Sequence, residues 1–347
     1  MHVLVTGSSG LIGSEAVVYF DNLGFDVTGV DNNMRADFFG PKGDTTWNRQ
    51  RLEKACKHFK HLDLDIRDRD ALDALFAKSA FELIVHAAAQ PSHDLAAQRP
   101  YDDFDVNATG TLNLLESCRK HSPEAVFIHL STNKVYGDGP NRIALKELET
   151  RWEYDDPDYI EGIPEHFPVD HCLHSLFGAS KLAGDILAQE YGRYFGMRTG
   201  IFRGGCLTGP YHSGVELHGF LSYLVHIALQ EGPYTIFGYK GKQVRDQIHS
   251  HDVIGAFWNF AQAPRAGEVY NLGGGKQNAA SLLECVTMIE ERTGKRPRLT
   301  YSDENRIGDH ICYYSDLTKL HSHFPAWELT YTLEDIVDEM ISVMGDR

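Results

Sequence analysis

One stretch near the beginning of the chain decides the fold: Thr6-Gly7-Ser8-Ser9-Gly10-Leu11-Ile12-Gly13. It follows the apolar run Val3–Val5 and opens a segment with helical periodicity, so it marks a turn from strand to helix. Glycines at this spacing permit a tight turn, a close approach of backbone to a pyrophosphate, and close helix packing. The first amide groups of such a helix attract anions. The stretch therefore predicts a dinucleotide-binding turn.

An acidic residue at the end of the second predicted strand supports this interpretation. Asp31 follows the run Asp26–Val30 and lies eighteen residues after Gly13, where a carboxylate can accept hydrogen bonds from the hydroxyls of an adenosine ribose. The carboxylate would repel a 2′-phosphate, so Asp31 favours NAD over NADP. Arg35, four residues later, is an argument for NADP.

Two further segments are predicted to line the cofactor. Asp65-Ile66 comes just after the third predicted strand and is placed to touch the adenine. Ala87-Ala88-Ala89 ends the fourth with small side chains, which let the backbone approach the dinucleotide. The cofactor-binding residues predicted from these patterns are Gly7, Gly10, Leu11, Ile12, Gly13, Asp31, Asn32, Arg35, Asp65, Ile66, Ala87, Ala88 and Ala89.

The hydrophobic pattern predicts an α/β fold, a Rossmann-type doubly wound parallel sheet with a smaller C-terminal substrate-binding lobe. Near-continuous apolar strands with room for helices between them indicate a parallel sheet covered on both faces. The NAD-binding domain is predicted over residues 1–205 and the lobe over 206–347, with segments of 234–272 as candidates for returning to the first domain. The predicted strands are Val3–Val5, Asp26–Val30, Leu62–Leu64, Leu83–His86, Val126–Leu130, Thr199–Phe202 and Glu268–Asn271, and the late helices are Ser281–Thr293 and Leu333–Val343.

Two connections are longer than a compact domain normally uses. Asn32–Gln50 follows the second predicted strand, and Asn141–His174, which is strongly acidic, follows the fifth. Loops of this length are usually functional lids or disordered segments. The acidic one is expected to cover a substrate crevice, with simple solvation of its charge as the equal alternative.

Composition and charge limit the classes of function. The 347 residues contain 49 Asp and Glu against 33 Lys and Arg, a net charge of −16, which argues against nucleic-acid or anionic-membrane surfaces. No stretch approaches the ~20 apolar residues of a membrane span. The chain begins directly with a strand, so a cytoplasmic location is predicted. The six cysteines are scattered and the close histidine pairs have no evident partner cluster, so neither disulfides nor a metal site is predicted.

Further motifs give the chain a family resemblance. His86-Ala87-Ala88-Ala89, Asn107, Ser131-Thr132-x-x-Val135-Tyr136-Gly137 and Lys181 join the glycine pattern. Together they resemble the extended short-chain dehydrogenase/reductase family, in its NAD-dependent nucleotide-sugar epimerase/dehydratase branch. The nearer likeness is to CDP-paratose (CDP-tyvelose) 2-epimerase-like proteins, in Ser131–Asp138, Phe237–Asp246 and Arg306-x-Gly308-Asp309-His310. The resemblance adds Asn107 and Lys181 to the cofactor-binding residues.

The resemblance implies a reaction centre with one departure. The family pairs a Tyr-x-x-x-Lys with an upstream Ser or Thr, and here Thr132 and Lys181 match while Phe177 stands at the tyrosine position. A phenyl ring cannot carry a proton. Three accounts remain open: another group is the base, a water or the substrate relays the proton to Lys181, or the protein binds NAD without turnover. The candidate bases are Lys134, Tyr136, His174, Cys172, Cys206 and Lys181 itself.

The substrate side is predicted from position and from the resemblance. Gln90, Ser92 and His93 follow the fourth predicted strand and so face the nicotinamide end. The resemblance implies that Arg245 and Arg306 contact a nucleotide diphosphate, with a surface ion pair as the alternative.

We therefore expect a nucleotide-sugar 2-epimerase working through transient oxidation. The alternatives are an NAD-dependent dehydratase that makes an unsaturated sugar or nucleoside, as in nucleoside-antibiotic pathways, and a catalytically silent NAD-binding sensor or scaffold. The resemblance also implies a homodimer through helices near Asn107–Lys120 and Phe177–Tyr194.

Overall fold

The computed structural model describes residues 1–212, 219–304 and 308–345. Within these ranges no helix is both long and apolar enough to cross a membrane. The strands are β1 (His2–Thr6), β2 (Asp26–Val30), β3 (Phe59–Leu62), β4 (Leu83–His86), β5 (Val126–Thr132), β6 (Leu145–Glu147), β7 (Trp152–Tyr154), β8 (Arg198–Gly204), β9 (Cys206–Thr208), β10 (Pro233–Phe237), β11 (Val244–His249), β12 (Glu268–Leu272), β13 (Ala279–Ser281), β14 (Arg298–Ser302) and β15 (Cys312–Tyr313).

Helices separate most of these strands. They are α1 (Leu11–Asn22), α2 (Met34–Phe39), α3 (Thr46–Ala55), α4 (Arg69–Ala77), α5 (His93–Gln98), α6 (Pro100–Phe104), α7 (Gly110–His121), α8 (Ser175–Phe195), α9 (Phe220–Leu229), α10 (Ser250–Gln262), α11 (Leu282–Thr293), α12 (Thr318–His323) and α13 (Leu333–Gly345). A single π-helical turn, Asp105–Thr109, runs directly into α7.

Seven of the described strands form one sheet in the order β12-β8-β5-β4-β1-β2-β3. The pairs β1–β2, β1–β4, β2–β3 and β4–β5 are parallel. The strand order reverses between β1 and β4, and in such sheets a ligand crevice opens at that point, beyond the carboxyl ends of the strands. The α/β class and the Rossmann-type sheet predicted from the sequence are confirmed.

Three local predictions differ from the structure. The third strand is Phe59–Leu62 rather than Leu62–Leu64, because it is a half-exposed edge strand whose Lys and His interrupt the apolar pattern. The predicted loop Asn32–Gln50 contains α2 and the beginning of α3. The predicted loop Asn141–His174 contains the antiparallel pair β6–β7. Short elements without a continuous apolar face are hard to recognise from periodicity alone.

The chain forms two compact units. The first unit comprises Met1–Val135, Leu176–Arg203 and Val253–Tyr270, and the second comprises 136–175, 204–252 and the described residues from 271 onward. The break after Arg203 lies close to the predicted boundary at 205, and 253–270 lie in the range predicted to return. Residues 136–175, however, belong to the second unit, because Ile163 N donates to Tyr314 O and Tyr154 Oη donates to Cys312 O. The ligand roles assigned to the two domains stay predictions.

The second unit has its own sheet and core. Strand β11 pairs in parallel with β9 and β15 and antiparallel with β13. Helices α9, α11 and α13 pack their apolar faces into a cluster that includes Leu224, Val286 and Ile336. Ser281 begins α11 with a capping box to Glu284, which explains why the predicted start of this helix is accurate to one residue.

A buried ion pair fastens α8 to the sheet inside the first unit. Asp185, on α8, is fully buried and receives Nε and Nη2 of Arg203, on β8, at 3.0 Å each. Ser131 Oγ, on β5, and Gln189 Nε2 donate to the same carboxylate at 2.6 Å. One side chain thus connects one helix to two neighbouring strands.

Removing one partner of this ion pair should lower the free energy of unfolding more than replacing both partners does. We expect Arg203→Met to lower the free energy of unfolding by about 3 kcal/mol or more, because Asp185 would be left as an uncompensated buried charge. Combining it with Asp185→Asn should recover much of the loss. Urea denaturation of the wild type and both variants measures this. Equal destabilisation in the single and double variants would contradict the account.

Candidate active site

The glycine turn leaves no room for side chains. Gly7 has φ +69°, and its amide donates to Val30 O at 2.8 Å. A Cβ on Gly7 would lie 2.8 Å from Ala88 N, and one on Gly13 would collide with the Gly7 carbonyl. Helix α1 begins at Leu11 after Gly10, so no N-cap side chain covers its first turn. The first backbone amides of α1, at a turn without obstructing side chains, thus form a cradle suited to an anion.

The carboxylate of Asp31 is fixed beside this turn. Its Oδ2 accepts from Ser9 N at 2.9 Å and its Oδ1 from Asn33 N at 2.7 Å. A carboxylate has about four acceptor positions, so capacity remains for ribose hydroxyls. Arg35, which the sequence analysis weighed as an argument for NADP, stacks on Phe39 at 4.8 Å, and burial lowers the pKa of its guanidinium to about 10.

The segment predicted to touch the adenine has structural contacts of its own. Asp65 pairs with Arg67, with Nη2 2.7 Å from Oδ2, and also accepts from Asn32 Nδ2 at 3.1 Å. Ile66 is 5% exposed and fills the space left by Gly110 on α7. Its side chain therefore belongs to the core. The adenine contact of Asp65 and Ile66, like the cofactor role of Asn32, stays a prediction.

Two residues outside the predicted set hold the turn in place. Asn48, on α3, is fully buried and donates to Ser9 O at 2.9 Å. The ring of His86 lies between Thr6 Oγ1 and Thr111 Oγ1, at 2.7 and 2.9 Å, and burial lowers its pKa to about 3, so the ring is neutral. His86 could have been found from the sequence, because it begins the family motif His86-Ala87-Ala88-Ala89. Nothing in the sequence pattern pointed to Asn48.

A buried polar network ties the segment after β4 to α8. Asn107, in the π turn, accepts from Gln90 N at 2.9 Å and donates to Asp103 Oδ1 at 3.1 Å and to Ser180 Oγ at 3.0 Å. Gln90 Nε2 donates to Ser92 O and to Asp103 Oδ1, both at 2.8 Å. All five residues are buried. The structure gives Gln90, Ser92 and Asn107 a positioning role, and their predicted contacts with substrate or cofactor stay predictions.

Thr132 and Lys181 are both fixed to the carboxyl end of β5. Lys181 Nζ donates to Leu130 O at 2.7 Å, and burial lowers the pKa of this 4% exposed ammonium to about 8. Thr132 ends the strand two residues later, where its Oγ1 accepts from Lys134 N at 3.3 Å and lies 3.4 Å from Asn133 Oδ1. A hydroxyl and a cation are therefore anchored on one strand.

Phe177 lies one helical turn before Lys181 on α8, and its ring contacts an imidazole. The ring centroids of Phe177 and His93 are 4.9 Å apart with an interplanar angle of 52°. His93 is the first residue of α5, directly after the segment that the Asn107 network holds. The sequence placed His93 at the nicotinamide end without giving it a catalytic role, although its position after the fourth strand was an available signal.

Of the other candidate bases, Lys134 lies in the first unit, and the second unit contains Tyr136, Cys172, His174 and Cys206. Tyr136 is fully buried and its Oη donates to Asn271 Oδ1 at 2.7 Å, so this hydroxyl is part of the packing. Cys172 Sγ lies 3.5 Å from His174 Nε2, and burial raises the pKa of the thiol. Cys206 begins β9. Catalytic roles for His174 and Lys134 stay predictions.

Arg245, predicted to bind a diphosphate, forms an ion pair in the second unit. Its Nη2 lies 2.6 Å from Asp309 Oδ1, and its Nη1 donates to its neighbour's carbonyl at 2.7 Å. Arg306 lies outside the described residues. No group of three or more His, Cys, Asp or Glu side chains suited to a metal ion occurs within 1–212, 219–304 and 308–345.

Comparisons with known proteins agree with this geometry. The NAD dependent epimerase/dehydratase family matches residues 3–273. CDP-paratose 2-epimerase of Salmonella typhi is 30% identical over 98% of this chain and 98% of that protein. dTDP-glucose 4,6-dehydratase 1 of Escherichia coli K12 is 28% identical over 92% of this chain and 86% of its own length.

A solved structure covers the whole chain. UDP-glucuronic acid 4-epimerase from Bacillus cereus, crystallised with UDP-glucuronic acid and NAD, is 26% identical, covers 100% of this chain and 99% of its own, and has a TM-score of 0.81.

The observed turn fits the cofactor of these relatives. The cradle of Gly7, Gly10 and Gly13 accepts a pyrophosphate without side-chain interference, and Asp31 is oriented beside it. NAD as the cofactor and the predicted family are confirmed. The chain belongs to the NAD dependent epimerase/dehydratase family.

Proposed function

We propose that the protein is a nucleotide-sugar epimerase that inverts carbon 2 of the sugar. The observation that carries this proposal is the anchoring of Thr132 and Lys181 on one strand end, in the unit that contains the dinucleotide turn. NAD, held by the glycine turn and Asp31, would supply reversible hydride transfer, so that no net oxidation results. The full-length similarity to the Salmonella typhi 2-epimerase supports carbon 2 as the site of inversion.

Thr132 and Lys181 have complementary tasks in this reaction. The Thr132 hydroxyl can donate to and accept from the sugar hydroxyl that is oxidised, which fixes that oxygen. Lys181, held at Leu130 O, places a positive charge beside it and favours loss of its proton. If the keto-sugar turns its other face before hydrogen returns, the configuration is inverted.

The substrate's diphosphate is proposed to bind Arg245 and Arg306. The Arg245 guanidinium has five N–H donors in a planar fork, and only part of this capacity goes to Asp309 and to backbone. The nucleotide sugars in the names of the relatives support a substrate of this class.

A dehydratase on the same scaffold is the second candidate. The similarity to dTDP-glucose 4,6-dehydratase supports it. Eliminating water requires an acid for the leaving hydroxyl and a base for the neighbouring C–H. The residues directly after Thr132 are Asn133 and Lys134, an amide and an ammonium rather than carboxylates, which favours the epimerase.

We also propose a homodimer. Helices α6 and α8 expose large apolar side chains, Tyr101 at 86% and Tyr194 at 80%, together with Phe104, Ile186 and Phe195. Exposed apolar side chains grouped on helices are typical of protein interaction surfaces. A second copy of the chain would cover them.

Product analysis distinguishes the candidates. We expect purified protein, incubated with CDP-paratose, CDP-glucose, UDP-glucose and UDP-glucuronic acid, to convert at least one into its 2-epimer with unchanged mass. Mass spectrometry and NMR of the sugar ring measure this, with Lys181→Met as the inactive control. A product lighter by one water would establish the dehydratase. No product from any of the four would contradict both and leave the silent NAD-binding protein.

The lowered pKa of Lys181 predicts an alkaline limit to activity. The ammonium form is present below a pH of about 8 and is lost above it, so kcat/KM should fall as pH rises through this value. In Lys181→Arg the guanidinium stays charged, so the remaining activity should lack this fall. The pH profiles of both proteins measure it. The same alkaline fall in both would show that Lys181 is not the titrating group.

A further inference from the structure

We propose that His93 is the acid–base residue that replaces the missing tyrosine, exchanging a proton with the sugar hydroxyl held by Thr132. The inference rests on the proposed function and adds the proton-transfer residue that the sequence left open. It is carried by the contact between His93 and Phe177 and by the buried network that holds His93 there.

The contact places the imidazole of His93, which can carry a proton, beside the phenyl ring of Phe177, which cannot. With ring centroids 4.9 Å apart, the imidazole of His93 packs against the phenyl ring that occupies the tyrosine position. Phe177 is 7% exposed while His93 is partly exposed, so the imidazole is the more accessible of the two rings. Lys181 follows Phe177 by one turn of α8, which keeps the cation on the same helix face.

The buried network explains why this contact is fixed. Asn107 Nδ2 donates to Ser180 Oγ, and Ser180 Oγ donates to Phe177 O at 3.0 Å. On its other side, Asn107 binds both the N–H and the C=O of Gln90. The chain that enters α5 and the turn of α8 around Phe177 are thus joined through one amide.

The start of α5 is fixed as well. Ser92 N donates to Gln90 Oε1 at 2.6 Å, and Ser92 Oγ caps α5 by accepting from Leu95 N at 3.4 Å. His93 follows Ser92 directly, so its backbone has little freedom to move away from α8.

An imidazole suits the required proton transfer. Its unperturbed pKa of about 6.5 lets it take and return a proton near neutral pH. The hydroxyl proton passes to the imidazole of His93 while the C–H hydrogen leaves as hydride, for which bound NAD would supply the acceptor, and a carbonyl forms. The proton returns to the oxygen when the hydride returns to carbon, so His93 ends each turnover as it began.

Lys181, Thr132 and Phe177 have different tasks in the first unit. Lys181 Nζ already donates to Leu130 O, and its value to the reaction is its positive charge. The Thr132 hydroxyl fixes the sugar oxygen, but an alcohol is far too weak a base to hold the proton that this oxygen loses. Phe177 supplies only a packing surface. His93 therefore completes a set of orienting hydroxyl, cation and proton carrier.

Restoring the family's phenol tests this directly. We expect His93→Gln to lower kcat by about a hundredfold or more, the usual contribution of general acid–base catalysis, on whichever nucleotide sugar of the four-member panel the wild type converts. NAD affinity, measured by quenching of tryptophan fluorescence, and Tm should be unchanged. Adding Phe177→Tyr to His93→Gln should restore much of the lost kcat, because Thr132 and Lys181 are in place to use a phenol.

His58→Gln is the matched control, since His58 is an exposed histidine of the same unit, and it should leave kcat unchanged. Wild-type kcat in His93→Gln would overturn the role of His93 and leave the epimerase standing. A loss of kcat that Phe177→Tyr does not restore would also overturn it, because His93 would then act only through packing. An inert wild type would overturn the proposed function itself, a result visible before any variant is made.

Discussion

The attachment of helix α8 to strand β5 is the constraint on which the site depends. Lys181 Nζ bonds the Leu130 carbonyl, and one helical turn later Asp185 receives the Ser131 hydroxyl and the fork of Arg203. These contacts fix the rotation of α8 about its axis. Lys181 consequently reaches the strand that ends at Thr132, and Phe177 lies one turn earlier on the same face of α8. A helix turned differently would carry the same residues without forming a site.

The proposed replacement of the family tyrosine by Phe177 changes one part of this arrangement and leaves the rest. A Tyr-x-x-x-Lys spacing would place a phenol and an ammonium one turn apart on one helix. Here the cation stays on α8, while the imidazole in contact with Phe177 comes from α5. The Asn107 amide connects the segment before α5 to α8, because it binds the backbone of Gln90 on one side and the Ser180 hydroxyl on the other. A buried, fully bonded amide is rigid, which favours proton transfer over a fixed distance.

The features predictable from the sequence are those set by local spacing. The turn from Gly7 to Gly13, the position of Asp31 and most strands follow from backbone sterics and from apolar runs. The edge strand β3 and the short elements after Asn32 and Asn141 were missed because they lack a continuous apolar face. The ring contact of His93 with Phe177 joins residues far apart in sequence, and no spacing rule encodes the hydrogen bonds of Asn107 that support it. For the same reason the hydrogen bond from Gln90 to Asp103 could not be predicted, and the contact of Gln90 with substrate stays a prediction.

The central claim is that this site oxidises a sugar carbon transiently and returns the same hydrogen. A substrate carrying deuterium at carbon 2, such as deuterated CDP-paratose, tests it most directly when converted in ordinary water and analysed by mass spectrometry and NMR. The account predicts that the epimer retains its deuterium on carbon 2, because the hydride never exchanges with solvent. Replacement of that deuterium by solvent hydrogen would show that inversion proceeds by deprotonation at carbon, and would contradict it.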